Sequence, residues 1–200
     1  MIHPDTEVRF IDSVIGYGVV ATKLIPKGTI TWVLDAFDQV FEPAQVAAMS
    51  ELHLAIMRKY SYQDASGRHI LCWDNGRFVN HHCEANCLGG GYGFEVAVRD
   101  IHPGEQLTDD YGGLNVEEDF PCSCGSPVCR GKVRPDDVLR QADAWDARIA
   151  DALPLVLGLP QPLWSLVTEH DELEMIVAGL AKPRSSRLQH YPTPGLAYHR

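Results

Sequence analysis

Cys122, Cys124 and Cys129 stand in a C-x-C-x4-C run, with Gly125, Ser126 and Pro127 bending the chain between them. Thiolates at this spacing suit zinc, which takes four ligands in a tetrahedron and prefers sulfur where the site is structural. The C-x-C loop offers two thiolates and the bend returns a third. The fourth must come from elsewhere, and Cys83 and Cys87 are the candidates. Cys83 follows Arg77-Phe78-Val79-Asn80-His81-His82, so the polar pair Asn80-His81 lies directly beside a candidate ligand. A third piece, GEQLTDDY from Gly104 to Tyr111, ends on a tyrosine. Together these residues imply a small-molecule pocket built next to a metal centre. Cysteine clustering of this kind, in a chain read as cytoplasmic, favours metal over disulfides. Cys72, inside a strand pattern, reads as a small core residue.

Two hundred residues, 45% hydrophobic and 22% charged, make one ordinary domain with an appendage or two small ones, able to bury a real core. The opening MIHPDTEVRF has no apolar leader region, and no run approaches 18 apolar residues, so a cytoplasmic location is expected, with a nuclear location or export as the alternatives, and no membrane role. The formal charge of −10 argues against a phosphate-binding face, and hence against a direct nucleic-acid partner. It agrees with a basic partner such as a lysine-rich peptide.

The elements that must position these residues are mostly strands. Val8 and Phe10, Val19 and Val20, then Ile30, Trp32 and Leu34 read as short strands separated by Gly16-Tyr17-Gly18 and Pro26-Lys27-Gly28. From Ala44 to Lys59, Val46, Met49, His53 and Ile56 share one helical face. A hairpin follows, with arms at 60–62 and 69–73 and a turn at 64–67, and another strand at 94–98. After Arg134, Val138, Ala142, Trp145, Ile149 and Leu153 predict an amphipathic helix begun by Pro135 and Asp136 or Asp137. Asp171 with Glu174 offers a capping box for a further helix ending near Ala181. These helices pack either on the β body or on a second subunit. Residues 183–200, rich in proline and polar groups, read as a loose tail.

Set in order, the motifs resemble those of the SET-domain protein-lysine methyltransferases. Gly16-Tyr17-Gly18-Val19 through Ile25-Pro26-Lys27-Gly28 is similar to that family's opening glycine motif, and Tyr60-Ser61-Tyr62 to its Y-x-[FY] strand. Arg77 to Cys83 with Asn86 resembles R-F-x-N-H-S-C-x-P-N, and Gly104 to Tyr111 resembles G-E-E-L-T-x-D-Y. The cysteine run with Arg130-Gly131 resembles the post-SET zinc knuckle. The resemblance covers residues 8–133 and implies an α+β architecture, mostly β: a SET β-fold over 1–118 in which the Asn80 segment threads a loop made by the Tyr111 segment. A post-SET knuckle over 119–133 and a helical extension over 134–182 would follow, with no pre-SET region.

The resemblance also implies roles. Ile15, Gly16 and Tyr17 would line S-adenosylmethionine, Tyr60 would border the cofactor and a lysine channel, and Asn80 and His81 would hold the cofactor. Tyr111 would be the catalytic tyrosine. One structural zinc ion per chain would sit on Cys83, Cys122, Cys124 and Cys129. The implied reaction is methyl transfer to a lysine of a peptide or histone-like protein. Such a displacement needs alignment and an uncharged amine, which an aromatic channel beside a sulfonium favours by lowering the lysine pKa. Asp109 stands where many members carry Phe or Tyr, so a non-catalytic SET-like zinc module that binds peptides is the alternative expectation.

Overall fold

The structure is a computed structural model, and it describes residues 1–192. β1 (Thr6–Asp12) and β2 (Gly16–Ala21) pair antiparallel, with a register shift between Phe10 and Asp12. Gly16, expected in a separating turn, begins β2 with φ +83°, a conformation that glycine adopts without steric cost. β3 (Ile30–Val33) pairs with a later strand, while β4 (Gln39–Phe41) leads into α1 (Pro43–Ala47) and α2 (Glu51–Tyr60). The expected single helix is therefore broken in two. Ser50 takes extended backbone and accepts the His53 N–H with its side chain, which starts a new helix rather than continuing the old one. The expected face is not the buried one either: Ile56 is exposed, and Met57 is the buried residue of α2.

The expected hairpin forms from β5 (Ser61–Gln63) and β6 (His69–Leu71), with β4 on the far side of β6. β7 (Asn80–His81), β8 (Cys87–Leu88) and β9 (Phe94–Ala97) come next. β3, β9 and β8 make one antiparallel sheet. β10 (Thr108–Asp109) pairs parallel with β7, placing Thr108 opposite Asn80 and Asp109 opposite His81. Asn86 fastens this junction. Its Nδ2 donates to Gln106 O at 2.8 Å, and its Oδ1 accepts Thr108 N–H at 2.8 Å. Buried polar groups need such partners, and a buried asparagine without them would cost about 1–3 kcal/mol. β11 (Phe120–Pro121) and β12 (Lys132–Val133) close the cysteine loop.

α3 (Asp137–Ala152) buries Val138, Ala142, Trp145 and Ile149, the face read from the sequence, and Leu153 continues it just beyond the helix end. These side chains share one core with Ile30, Val33, Phe94 and Val96, so the helices pack on the β body of the same chain. α4 (His170–Val177) adds Leu173 and Ile176. The capping box expected from Asp171 and Glu174 does not form, because the helix starts two residues earlier, after Glu169, whose carboxylate is used to accept Gly93 N–H at 2.8 Å. A smaller core of Val19, Ala21, Ile25, Cys87, Ala97, Ile101 and Leu107 lies under β2. Cys87 is therefore a core residue.

The segment expected as a loose tail is docked as far as it is described. Arg184 ion-pairs with Glu172 and lies over the Tyr92 ring, Ser186 is buried, and Tyr191 N–H donates to Asn115 Oδ1 at 2.8 Å. Polar residues here are satisfied by the body rather than by water; residues 193–200 fall outside the described part. Among the described residues no helix is long and apolar enough to cross a membrane.

Because α3 shares its core with β9, Ile149→Ala should cost about 2–5 kcal/mol. Urea unfolding followed by both far-ultraviolet circular dichroism and tryptophan fluorescence should give one coincident transition at lower midpoint. Two separate transitions would mean that the helices form an independent unit.

Candidate active site and metal centre

A cavity of about 790 Å³ is lined by residues of α2, β5, β9 and β10, among others. Trp32, Tyr60, Tyr62, Glu95, Asp109 and Tyr111 are among the residues lining it. Tyr111 is held by both ends. Its hydroxyl donates to Val79 O at 2.7 Å, and its backbone N–H donates to His81 Nδ1 at 3.1 Å. Its ring meets Phe120 edge-on at 6.4 Å. Burial first, then the Asp109 and Glu95 carboxylates, pushes its hydroxyl above the ordinary phenol range, so it stays a neutral hydrogen-bonding group.

The residues expected at the cofactor are brought together in part. Asn80 Nδ2 donates to Tyr17 O and to Gln106 Oε1, both at 3.0 Å. Tyr17 meets Phe78 at 6.3 Å and Phe78 meets Tyr60 at 5.8 Å, so an edge-to-face run of rings leads from β2 to the cavity. Gly18, rather than Gly16, is the position of close approach. A Cβ there would lie 2.4 Å from Gln106 Oε1 and 2.8 Å from Asn80 Nδ2. Gly16 has open space around it, and Ile15 and Tyr17 are exposed. His81 turns its ring away, toward Cys83 and Tyr111.

Cys83 and Cys122 place their sulfurs 3.8 Å apart, and the ligand atoms of His81, Cys83, Cys122 and Cys124 all lie within 4.8 Å of one another. A tetrahedral zinc with bonds of about 2.3 Å needs sulfurs about 3.8 Å apart, so the spacing fits. Cys129 interacts with both Cys122 and Cys124. Backbone N–H groups of Arg130 and Gly131 point at Cys83 Sγ and Cys129 Sγ, each at 3.4 Å. Such donors suit thiolates. Of the residues expected as ligands, Cys83, Cys122 and Cys124 fall in this cluster together with His81, Cys129 lies outside it, and none of the four is tied up in a disulfide.

Between the cysteine cluster and the cavity lies a charged node that nothing in the sequence motifs announced. Arg130 clamps Asp110 with two bonds of 2.6 and 2.7 Å, and also reaches Asp137 of α3 at 3.3 Å. Trp145 Nε1 and Gly112 N–H donate to the same Asp110 carboxylate at 3.2 and 3.1 Å. His81 Nδ1 approaches it at 3.6 Å, but burial lowers the ring to about pKa 4 against the pull of Asp110, so this is no ion pair at neutral pH. Arg130 was visible in the sequence only as a neighbour of the cysteines.

The second unforeseen feature is acidic. Glu95 faces Trp32 across the sheet and lines the cavity with Asp109. Burial raises Glu95 to about 7; burial, with the Glu95 and Asp110 charges, raises Asp109 as well.

Residues 16–112 match the SET domain family. They are a SET domain. The expected SET fold is thus present, with α3 and α4 packed against it. Similar proteins include the rice (Oryza sativa subsp. japonica) histone-lysine N-methyltransferase TRX1, 41% identical over 78 residues, which are 36% of this chain and 7% of that protein. The Drosophila melanogaster histone-lysine N-methyltransferase ash1 is 32% identical over 138 residues, 62% of this chain and 6% of that protein. This chain therefore spans less than a tenth of the length of these relatives. The methyltransferase domain of human SETMAR superposes with a TM-score of 0.46 at 21% identity, covering 66% of this chain and 58% of that one.

Both cavity carboxyls bind their protons more tightly folded than unfolded. For Glu95 that contribution is complete below the ordinary carboxylate range and is lost as pH rises through about 7. Glu95→Gln should therefore gain stability relative to the parent protein between pH 5 and 8, as read by urea midpoints across that range. Parallel curves would remove Glu95 from this role.

Proposed function

We propose that this protein is an S-adenosylmethionine-dependent protein-lysine N-methyltransferase, with one structural zinc on Cys83, Cys122, Cys124 and Cys129 in a post-SET knuckle over 119–133. The reading is supported by the SET domain at 16–112 and by relatives named as histone-lysine methyltransferases. The observation that carries it is the placement of Tyr111, fixed at hydroxyl and amide, on the wall of a cavity joined by aromatic rings to Asn80 and Tyr17.

When bound, S-adenosylmethionine supplies a methyl group on a positively charged sulfur. Asn80 spends its amide hydrogens on Tyr17 and Gln106, so its Oδ1 is the atom left to accept from an incoming ammonium. The faces of Tyr60, Tyr62 and Trp32 suit the stem of a cationic side chain. The neutral Tyr111 hydroxyl orients the amine without adding charge. A lysine near pKa 10.4 is a poor nucleophile when protonated, and burial favours its uncharged form. The substrate class is a lysine in a flexible basic peptide, in keeping with the chain's charge of −10. Asp109 is the feature that favours the alternative of a peptide-binding module: a carboxyl replaces an aromatic ring in the cavity wall.

Tyr111→Phe should lower methyl transfer by at least about a hundredfold while cofactor affinity is kept. Labelled-cofactor transfer to mixed histones, with calorimetric binding beside it, reads both. Unchanged turnover would remove Tyr111 from the chemistry, and no transfer by the parent protein to histones or a bacterial lysate would favour the binding module. Elemental analysis of the purified protein should find one zinc per chain, reduced by Cys124→Ser; a metal-free parent protein would contradict the knuckle.

A further inference from the structure

The His81 side chain sits where neither cofactor nor solvent explains it. The ring is 8% exposed, with Nε2 3.4 Å from Cys83 Sγ and Nδ1 3.1 Å from the Tyr111 backbone nitrogen. A backbone N–H can only donate, so Nδ1 must present its lone pair. A neutral imidazole then carries its proton on Nε2, the nitrogen facing the sulfur. This settles a choice that distance leaves open. His81 lies within 4.8 Å of three cysteine sulfurs and could be taken for a fourth metal ligand. A nitrogen bearing a proton has no lone pair to give, so this tautomer leaves the remaining ligand position to Cys129, the residue the family resemblance implies.

We propose that His81 is a positioning residue that joins the metal centre to the active tyrosine, giving its Nε2–H to the Cys83 thiolate and taking the Tyr111 N–H on Nδ1. One rigid ring thereby sets the distance between the zinc knuckle and the backbone from which the Tyr111 side chain springs. Four thiolates around one zinc leave excess negative charge, and outer N–H donors relieve it. Arg130 and Gly131 supply two from the backbone, and His81 adds one from a side chain. The kinetic half rests on the methyltransferase reading; the metal half does not.

The two bonds separate by substitution. In His81→Asn, Oδ1 falls near the place of Nδ1 and can accept the Tyr111 N–H, but nothing reaches the sulfur. In His81→Gln, Nε2 reaches the sulfur as a donor, but nothing replaces Nδ1. Zinc affinity, measured by competition with a chromogenic chelator, should fall about tenfold to a hundredfold in His81→Asn and less in His81→Gln. With zinc saturating and labelled-cofactor transfer to histones as the assay, kcat should fall further in His81→Gln than in His81→Asn. Opposite or parallel orders would overturn the proposal. Long-range proton–nitrogen correlation spectra of the zinc-loaded parent protein should show the Nε2–H tautomer, and an Nδ1–H tautomer would overturn it whether or not a variant folds. If even the parent protein transfers no methyl, the functional reading fails, while chelator competition and tautomer still decide the role of His81.

Discussion

The Asp110 carboxylate is the point on which this structure turns. It is almost wholly buried, and a buried charge is tolerated only when paired and hydrogen-bonded. Its partners come from three parts of the chain: Arg130 from the cysteine loop, Trp145 from α3, and the Gly112 amide just beyond. Removing any of them leaves the carboxylate short of a donor, which costs more than the bond itself is worth. The cysteine loop, the helical layer and the Tyr111 turn therefore meet at this one side chain. Residue 110 precedes Tyr111, so what fixes it also limits where that tyrosine can go.

Two further constraints act on the same turn. The parallel pairing of β7 with β10, fastened by Asn86, sets the register that puts His81 opposite Asp109. The Tyr111 hydroxyl then closes back on Val79, one residue before β7. The tyrosine is tied at backbone and side chain to the strand carrying the cofactor candidates. The proposed methyl transfer would need this kind of rigidity, because small misplacements of reacting groups are expensive. The acidic wall of Glu95 and Asp109 adds a charge-sensitive surface to an otherwise aromatic cavity.

Much of the site was legible because its residues are local motifs. The C-x-C-x4-C spacing, Asn80-His81 beside Cys83 and the D-Y pair each carry their chemistry within a few positions. The packed face of α3 was legible too, because Val138, Ala142, Trp145 and Ile149 repeat at helical spacing. Long-range pairing was not. Nothing near Asp110 announces Arg130 or Trp145 as partners, and Glu95 reads as an ordinary polar strand residue until the fold places it beside Asp109. Spacing alone left Cys83 and Cys87 both open as the further thiolate and the family resemblance implied Cys83; in the fold Cys87 points into the core under β2, and Cys83 meets Cys122. The helix over 44–59 misled because its periodicity ran through Ser50, whose capping bond ends one helix and starts another. The tail after 183 misled for a related reason. Its polar residues find partners on α3, α4 and the loops, which composition cannot reveal.

A double-mutant cycle between Asp110→Asn and Arg130→Met, followed by urea unfolding of the zinc-loaded protein, tests the central claim most directly. The structure predicts that the two substitutions are strongly non-additive, with a coupling of about 2–3 kcal/mol, because each removes the partner of a buried charge. Additivity within about 0.5 kcal/mol would show that the pair does not hold the molecule together, and the account built on Asp110 would fall.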